Sequence, residues 1–276
     1  AAIRCDLKLI NLLFLLLPSS LIWTSIVGKE AIFYGFFTLL LFIWIELVKN
    51  KYNFFDILLF FLSFLICALF RPHYLVCIVW LYFSTLIIKK FYNYKNFVLI
   101  PSFFGLFLIC FLIIYNDENL FRIMSSIDYY SRASRFVDYD IMPFQYAMKF
   151  EVEKEIINTF REALTKNWIY SIIGPRFKEI FFRFEFIPFF IEGVLILIFS
   201  FLTYLYSIKV KISKIMNFRL LFFYCFIPSL VLIILVHAPF GILNPGSAIR
   251  WRVNFETIFY LTPLLIFFNY KDFKIK

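Results

Sequence analysis

The chain has 276 residues, 63% of them hydrophobic and only 17% charged, with 42 Phe against 7 Gly. A soluble domain of this size is nearer about 45–50% apolar and about 25% charged, so no water-soluble fold hides this much apolar surface and lipid must solvate most of the chain. The net charge of +10 lies in short Lys and Arg clusters between apolar runs, which is how membrane topology is written, and this excludes a nucleic-acid-binding surface.

The composition and pattern predict an all-α, polytopic transmembrane bundle. A helix needs about 20 mainly apolar residues to cross the hydrocarbon core. In chain order, eight runs approach that length: 9–27, 31–48, 54–70, 72–88 and 97–115, then 186–207, 220–236 and 255–270. None alternates with period two, so helices rather than a closed barrel satisfy the backbone in lipid. The chain divides into five spans over 1–115, an outer loop domain over 116–185, and three spans over 186–276. It opens Ala-Ala-Ile-Arg without a Met, as either a fragment or a processed product would. Five cysteines without a CxxC pair suggest neither a disulfide framework nor a zinc site. Cys67 and Cys77 flank one outer turn and are placed to approach each other.

Orientation follows from the Lys and Arg of the short connections. The N-terminal tail, 49–53, 89–96, 208–219 and the C-terminal tail hold fourteen, whereas the alternate connections hold only Lys29, Arg71, Arg250 and Arg252. Both termini are therefore expected in the cytoplasm. The opposite, outer face then carries those four cations and both histidines of the chain, His73 and His237.

The segment 116–185 is too long for a simple connection. Residues 144–168 read as an amphipathic helix, with Ile156, Ile157, Phe160, Ala163, Leu164 and Trp168 at three- and four-residue spacing. Such a helix lies along a membrane surface or caps a bundle. Gly174-Pro175 ends a short apolar stretch. The loop is close to neutral, which argues against a polybasic lipid patch. Asp138-Tyr139-Asp140 has the spacing of a metal-binding DxD, but two acids so spaced are common in any polar loop. No metal and no other cofactor are expected.

The candidate site residues all belong to the outer face. Arg250-Trp251-Arg252 defies the charge rule, and in an extended or turn conformation its two arginines face the same way, forming forks suited to phosphate oxygens. Arg71 joins them as an anion ligand, and Arg176 of the outer loop is a further binding candidate. His73, next to it but one, is able to transfer a proton near neutral pH. Lys29-Glu30 is either a local ion pair at a helix start, where Glu is favourable, or part of the binding site. Glu192 lies about 9 Å into its helix at 1.5 Å per residue, and acids within spans tend to be functional. His237 sits at an outer helix end, and Glu256 is a mate for Arg252 or for the helix dipole.

Several of these stretches resemble the O-antigen and capsule repeat-unit polymerases of bacteria. They are the run from Pro18-Ser19-Ser20 through Trp23-Thr24-Ser25 to Lys29-Glu30, then Phe70-Arg71-Pro72. Next comes Ser171-Ile172-Ile173-Gly174-Pro175, continuing to Phe189-Phe190-Ile191-Glu192-Gly193, and last Ala248-Ile249-Arg250-Trp251-Arg252. Here Val253-Asn254 stands where that family has Leu-Pro. The resemblance implies an inner-membrane enzyme that joins undecaprenyl-pyrophosphate-linked oligosaccharide repeats at the periplasmic face, with a chain-length regulator as a possible partner. It implies Arg71, Arg250 and Arg252 on the pyrophosphate and Glu192 or His73 as the base. The rival readings are a transferase using a polyprenyl-phosphate sugar and a lipid-linked oligosaccharide flippase. A flippase predicts internal repeats and mid-membrane charge, which the sequence lacks.

Overall fold

The computed structural model describes residues 21–22, 28–48, 52–90, 95–116, 158, 161, 168–175, 177–209, 221–243, 249–250 and 252–259. All regular structure among them is helical. In order these are α1 (Lys29–Val48), α2 (Phe54–Phe70), a 3-10 turn (Pro72–Tyr74), α3 (Leu75–Lys90) and α4 (Lys95–Tyr115). Within the last part of the predicted loop domain come α5 (Trp168–Ile173) and α6 (Phe177–Phe182), and a second 3-10 turn (Phe184–Phe186) leads from it into α7 (Ile187–Lys209). A π-helical turn (Leu221–Phe226) then feeds α8 (Ile227–Leu243). The predicted span 9–27 apart from residues 21–22, most of the amphipathic stretch 144–168, the Asp138–Asp140 pair, Arg176, Trp251 and both termini lie outside the described residues.

Among the described residues, three helices are long and apolar enough to cross a membrane: Lys29–Val48, Pro72–Lys90 and Phe184–Leu202. Phe54–Phe70, Asn96–Leu108 and Phe223–Ala238 are equally apolar but shorter. The outward faces are what lipid requires. On α2, Phe54, Leu58, Phe61, Leu65 and Leu69 recur at three- and four-residue spacing, and Phe54 is 81% and Leu69 74% exposed. A stripe of that size has no place on a monomeric soluble protein.

Local chemistry starts and stops these helices. Asn53 caps α2: its side chain accepts from the Asp56 N–H at 2.9 Å while the Asp56 carboxylate accepts from the Asn53 N–H at 2.8 Å, a reciprocal capping box. At its far end the Arg71 N–H donates to the Cys67 carbonyl at 2.8 Å, and Pro72 opens the next turn, where a missing N–H costs nothing. Helix α5 ends on Gly174, whose φ of +89° is the left-handed cap conformation that only glycine adopts freely.

Helix α8 packs against α3 and α5, α1 against α2, and α5 against α7. Polar side chains tie the apolar interior across helices, as they do where lipid supplies no hydrophobic drive between helices. Trp44 donates to the Thr85 hydroxyl at 2.8 Å, Tyr82 to the Leu40 carbonyl at 2.7 Å, and Ser229 to the Cys77 carbonyl at 3.1 Å. Thr38 and Thr257 share a hydrogen bond of 2.8 Å. Cys67 and Cys77 are both buried as free thiols.

One boundary differs from the sequence expectation. The apolar run was read as ending at 236, yet α8 continues to Leu243. His237 is therefore not in an outer connection but within the helix, fully buried.

Candidate functional site

Two charged nodes form at one end of the bundle. The first is centred on Glu30, in the opening turn of α1 and only 6% exposed. Arg71, on the turn between α2 and α3, donates to Glu30 Oε1 at 2.9 Å. Arg250 meets the same oxygen through Nε at 2.9 Å and Nη2 at 2.8 Å. Two guanidinium groups from distant parts of the chain thus meet on one carboxylate oxygen. The Arg250 side chain is 47% exposed while Arg71 is 12% exposed, so the cationic face opens at Arg250. Lys29, adjacent and exposed, adds to the same field. The Lys29–Glu30 pair expected from sequence is thus replaced by long-range partners, separated by 41 and 220 residues.

The second node is centred on Arg252, whose side chain is 0% exposed. Its guanidinium is spent on protein. Nη1 donates to the carbonyls of Ile172 at 3.1 Å and Ile173 at 2.9 Å, and Nη1 and Nη2 donate to the Phe189 carbonyl at 3.3 and 3.2 Å. The first two carbonyls are the unsatisfied C-terminal acceptors of α5, so the arginine serves as their cap. Glu192 lies 3.4 Å from Nη2 and Glu256 3.3 Å from Nε. The Arg252–Glu256 pairing is the one the sequence suggested. Glu192, 2% exposed, sits within its helix as expected but faces this arginine.

Glycine makes the second node possible. A Cβ on Gly193 would lie 2.1 Å from the Ile173 carbonyl oxygen and 2.6 Å from Arg252 Nη1. One on Gly174 would lie 3.4 Å from the same Nη1. The backbone of α7 therefore meets the end of α5 directly, with the guanidinium threaded between them.

The chain matches no protein-family model, no curated protein and no solved structure. Geometry alone must carry the functional argument.

The two arginines expected to face one way do not. Residues 249–250 and 252 are helical rather than extended, and Arg250 is exposed where Arg252 is buried. Arg250 consequently points to the open side and Arg252 into the core. Of the other candidates, His73 is half-buried on the turn that carries Arg71. Its neighbour Tyr74 is buried, and the Tyr74 hydroxyl and His237 Nδ1 lie 3.0 Å apart. Phe255 packs edge-on to the His237 ring at 4.6 Å. His237 and Tyr74 thus brace the floor beneath the first node.

Sequence reasoning missed the Tyr74–His237 bond, because nothing in the spacing of residues 74 and 237 announces it. It also missed Asn254, which is fully buried with neither side-chain amide atom hydrogen-bonded. An Asn two residues after a charged motif, where the resembled family has Pro, was the available signal.

Proposed function

We propose that this chain is a membrane glycosyltransferase-type polymerase. It joins oligosaccharide repeat units carried on a polyprenyl pyrophosphate at the extracytoplasmic face of a bacterial inner membrane, with both ends of this chain on the cytoplasmic side. The observation that carries the reading is the first node. One carboxylate holds two arginines from distant turns at the end of an apolar bundle, and the Arg250 side chain is 47% exposed there. Such an arrangement recognises an anion presented at a membrane surface, and arginine forks suit phosphate oxygens. It supports the reading further that Glu30, Arg71, Ile173, Glu192, Arg250 and Arg252, drawn from stretches resembling the polymerases, meet in these two nodes.

In the reaction a sugar hydroxyl attacks the anomeric carbon of the donor. The bond from that carbon to the pyrophosphate oxygen breaks, and the lipid pyrophosphate leaves with the bonding pair. Charge develops on the leaving oxygen, where Arg250 and Arg71 stabilise it. The hydroxyl proton passes to a base on the same face, for which His73, on the Arg71 turn, is the candidate. Glu192 and Arg252 act as positioning residues that hold the segment bearing Arg250. The chemistry requires no metal and no cofactor.

Deleting the gene and resolving surface polysaccharide by length tests the proposal. A polymerase predicts single-repeat caps without long chains. Loss of every repeat unit would point instead to a transferase or flippase acting earlier, and an unchanged ladder would refute the proposal. Arg250→Ala should reduce long chains on the order of a hundredfold, the loss typical of removing one charge-stabilising donor, while membrane levels stay normal. Wild-type chain lengths in that variant would remove Arg250 from the site.

A further inference from the structure

The connection between α5 and α7 makes a closed excursion from the end of the bundle. Arg252 holds both of its feet, donating to the carbonyls of Ile172 and Ile173 at the close of α5 and to that of Phe189 in the first turn of α7. Between those feet the chain turns at Gly174, runs through α6 and bends again in the second 3-10 turn. Helix α6 has six residues, about 9 Å at 1.5 Å per residue. A hydrocarbon core is roughly 30 Å thick, so α6 is too short to cross it.

Its apolar side chains nevertheless point away from protein. Phe177, Phe181 and Phe184, at spacings of four and three, are each more exposed than Leu65 on the lipid-facing stripe of α2. What covers them follows from the neighbouring helix. Phe184 is the first residue of the apolar span that continues to Leu202. From it an exposed stripe runs down that span through Ile187, Ile191, Leu195, Ile198 and Leu202, again at three- and four-residue spacing and hence on one face. Such a face on a helix long enough to span meets hydrocarbon. The Phe177 ring lies edge-on to Phe181 at 5.1 Å and 6.2 Å from Phe190, the residue before Ile191 of the stripe. The rings of α6 are thus continuous with the lipid face of α7. Arg183 completes the rim. It is exposed, and its guanidinium stands 5.9 Å from the centre of the Phe186 ring. A cation so placed keeps its stem on apolar groups while its head reaches the phosphates.

We infer that α6 is an interfacial anchor, lying flat at the membrane surface on the side of the two charged nodes. Its Phe177 and Phe181 rings sink among the acyl chains, and Arg183 stays among the headgroups. An apolar helical face of this kind reaches about 5–10 Å below the headgroup boundary. Because Arg252 fastens both feet of the excursion, the anchor sets the height of the second node relative to the lipid surface. It stands or falls independently of the reaction proposed above.

The test is the depth of nitroxide spin labels on the full chain in phosphatidylcholine nanodiscs. Power saturation compares oxygen, which concentrates in hydrocarbon, with a water-soluble nickel chelate. On a background without native cysteines, Phe177→Cys and Phe181→Cys carry the label. Lys29→Cys, at an exposed position, is the aqueous control, and Leu195→Cys on the α7 stripe is the mid-span control. Both ring positions should give an oxygen-to-nickel ratio severalfold above that at 29, with a depth shallower than that at 195. A ratio no higher than at 29 would put the rings in water and overturn the anchor. Low accessibility to both reagents would overturn it equally, by showing that protein, the 117–167 segment or a second copy, covers them. A depth equal to that at 195 would make α6 part of a span rather than a surface helix. Phe177 touches Phe190, so position 181 decides alone should Phe177→Cys fail to fold.

Discussion

Arg250 and Arg252 carry the same side chain one residue apart and are used in opposite ways. A half-exposed guanidinium keeps part of its surface open to solvent and ligand, and its ion pair contributes little to stability, about 0–1 kcal/mol for an exposed pair. A guanidinium with no exposed surface, set against two carboxylates and three carbonyls, is structural. Removing such a partner strands the charges it balanced, at about 3–5 kcal/mol. Arg252→Ala is therefore expected to lower the thermal unfolding temperature of the purified protein and its level in the membrane, whereas Arg250→Ala leaves both near wild type. Fluorescence-detected gel filtration after heating measures the difference. Equal melting behaviour of the two variants would contradict the division of labour. Sequence reading found both arginines through the same signal, a violation of the positive-inside pattern, and had no means to separate them. Separation needed the burial of each side chain, exposed at Arg250 and buried at Arg252, which is set by how that segment packs.

At the scale of elements, helix starts and stops were largely legible in the sequence. The range 54–70 coincides with α2, because a capping box and an Arg-Pro pair mark its ends chemically. Gly174 was read as a terminator and closes α5 in the left-handed conformation. The end of α8 was not legible: Pro239 and the neighbouring His237 suggested an exit, yet burial of the His against Tyr74 and Phe255 keeps the helix going. The contact of α7 with α5 was equally silent, since Gly193 shows its purpose only when the neighbouring carbonyl is in view. That contact makes a sharp prediction. Gly193→Ala forces a methyl group onto the Ile173 oxygen, so it should lower the unfolding temperature by an amount matching overpacking, about 1–3 kcal/mol or more. Gly35, also helical, has nothing within 4 Å of a built Cβ. Gly35→Ala should be neutral or stabilise by roughly 0.5–1 kcal/mol through helix propensity. Similar thermal shifts for the two substitutions would show that α7 does not approach α5 so closely.

For the molecule as a whole, everything turns on which end of the bundle faces outward. One end gathers Glu30, Arg71, Arg250 and the Arg252 node. The other holds Lys89, which donates to the Leu47 carbonyl, and the Asn96–Tyr224 bond. A lysine at that end is the usual cytoplasmic anchor, and a polymer destined for the cell surface must be joined on the other side. On the proposed reading the two ends carry their charges for different reasons, topology at one and ligand binding at the other, so orientation is a direct check on function. On a background without native cysteines, Lys29→Cys and Lys90→Cys are suitable reporters, because both side chains are exposed and neither belongs to the buried ion pairs. In intact cells a membrane-impermeant maleimide should label the cysteine at 29 and spare the one at 90 until the membrane is opened. The reverse pattern would put the arginine pair in the cytosol, away from any periplasmic carrier, and the polymerase reading would fall with it.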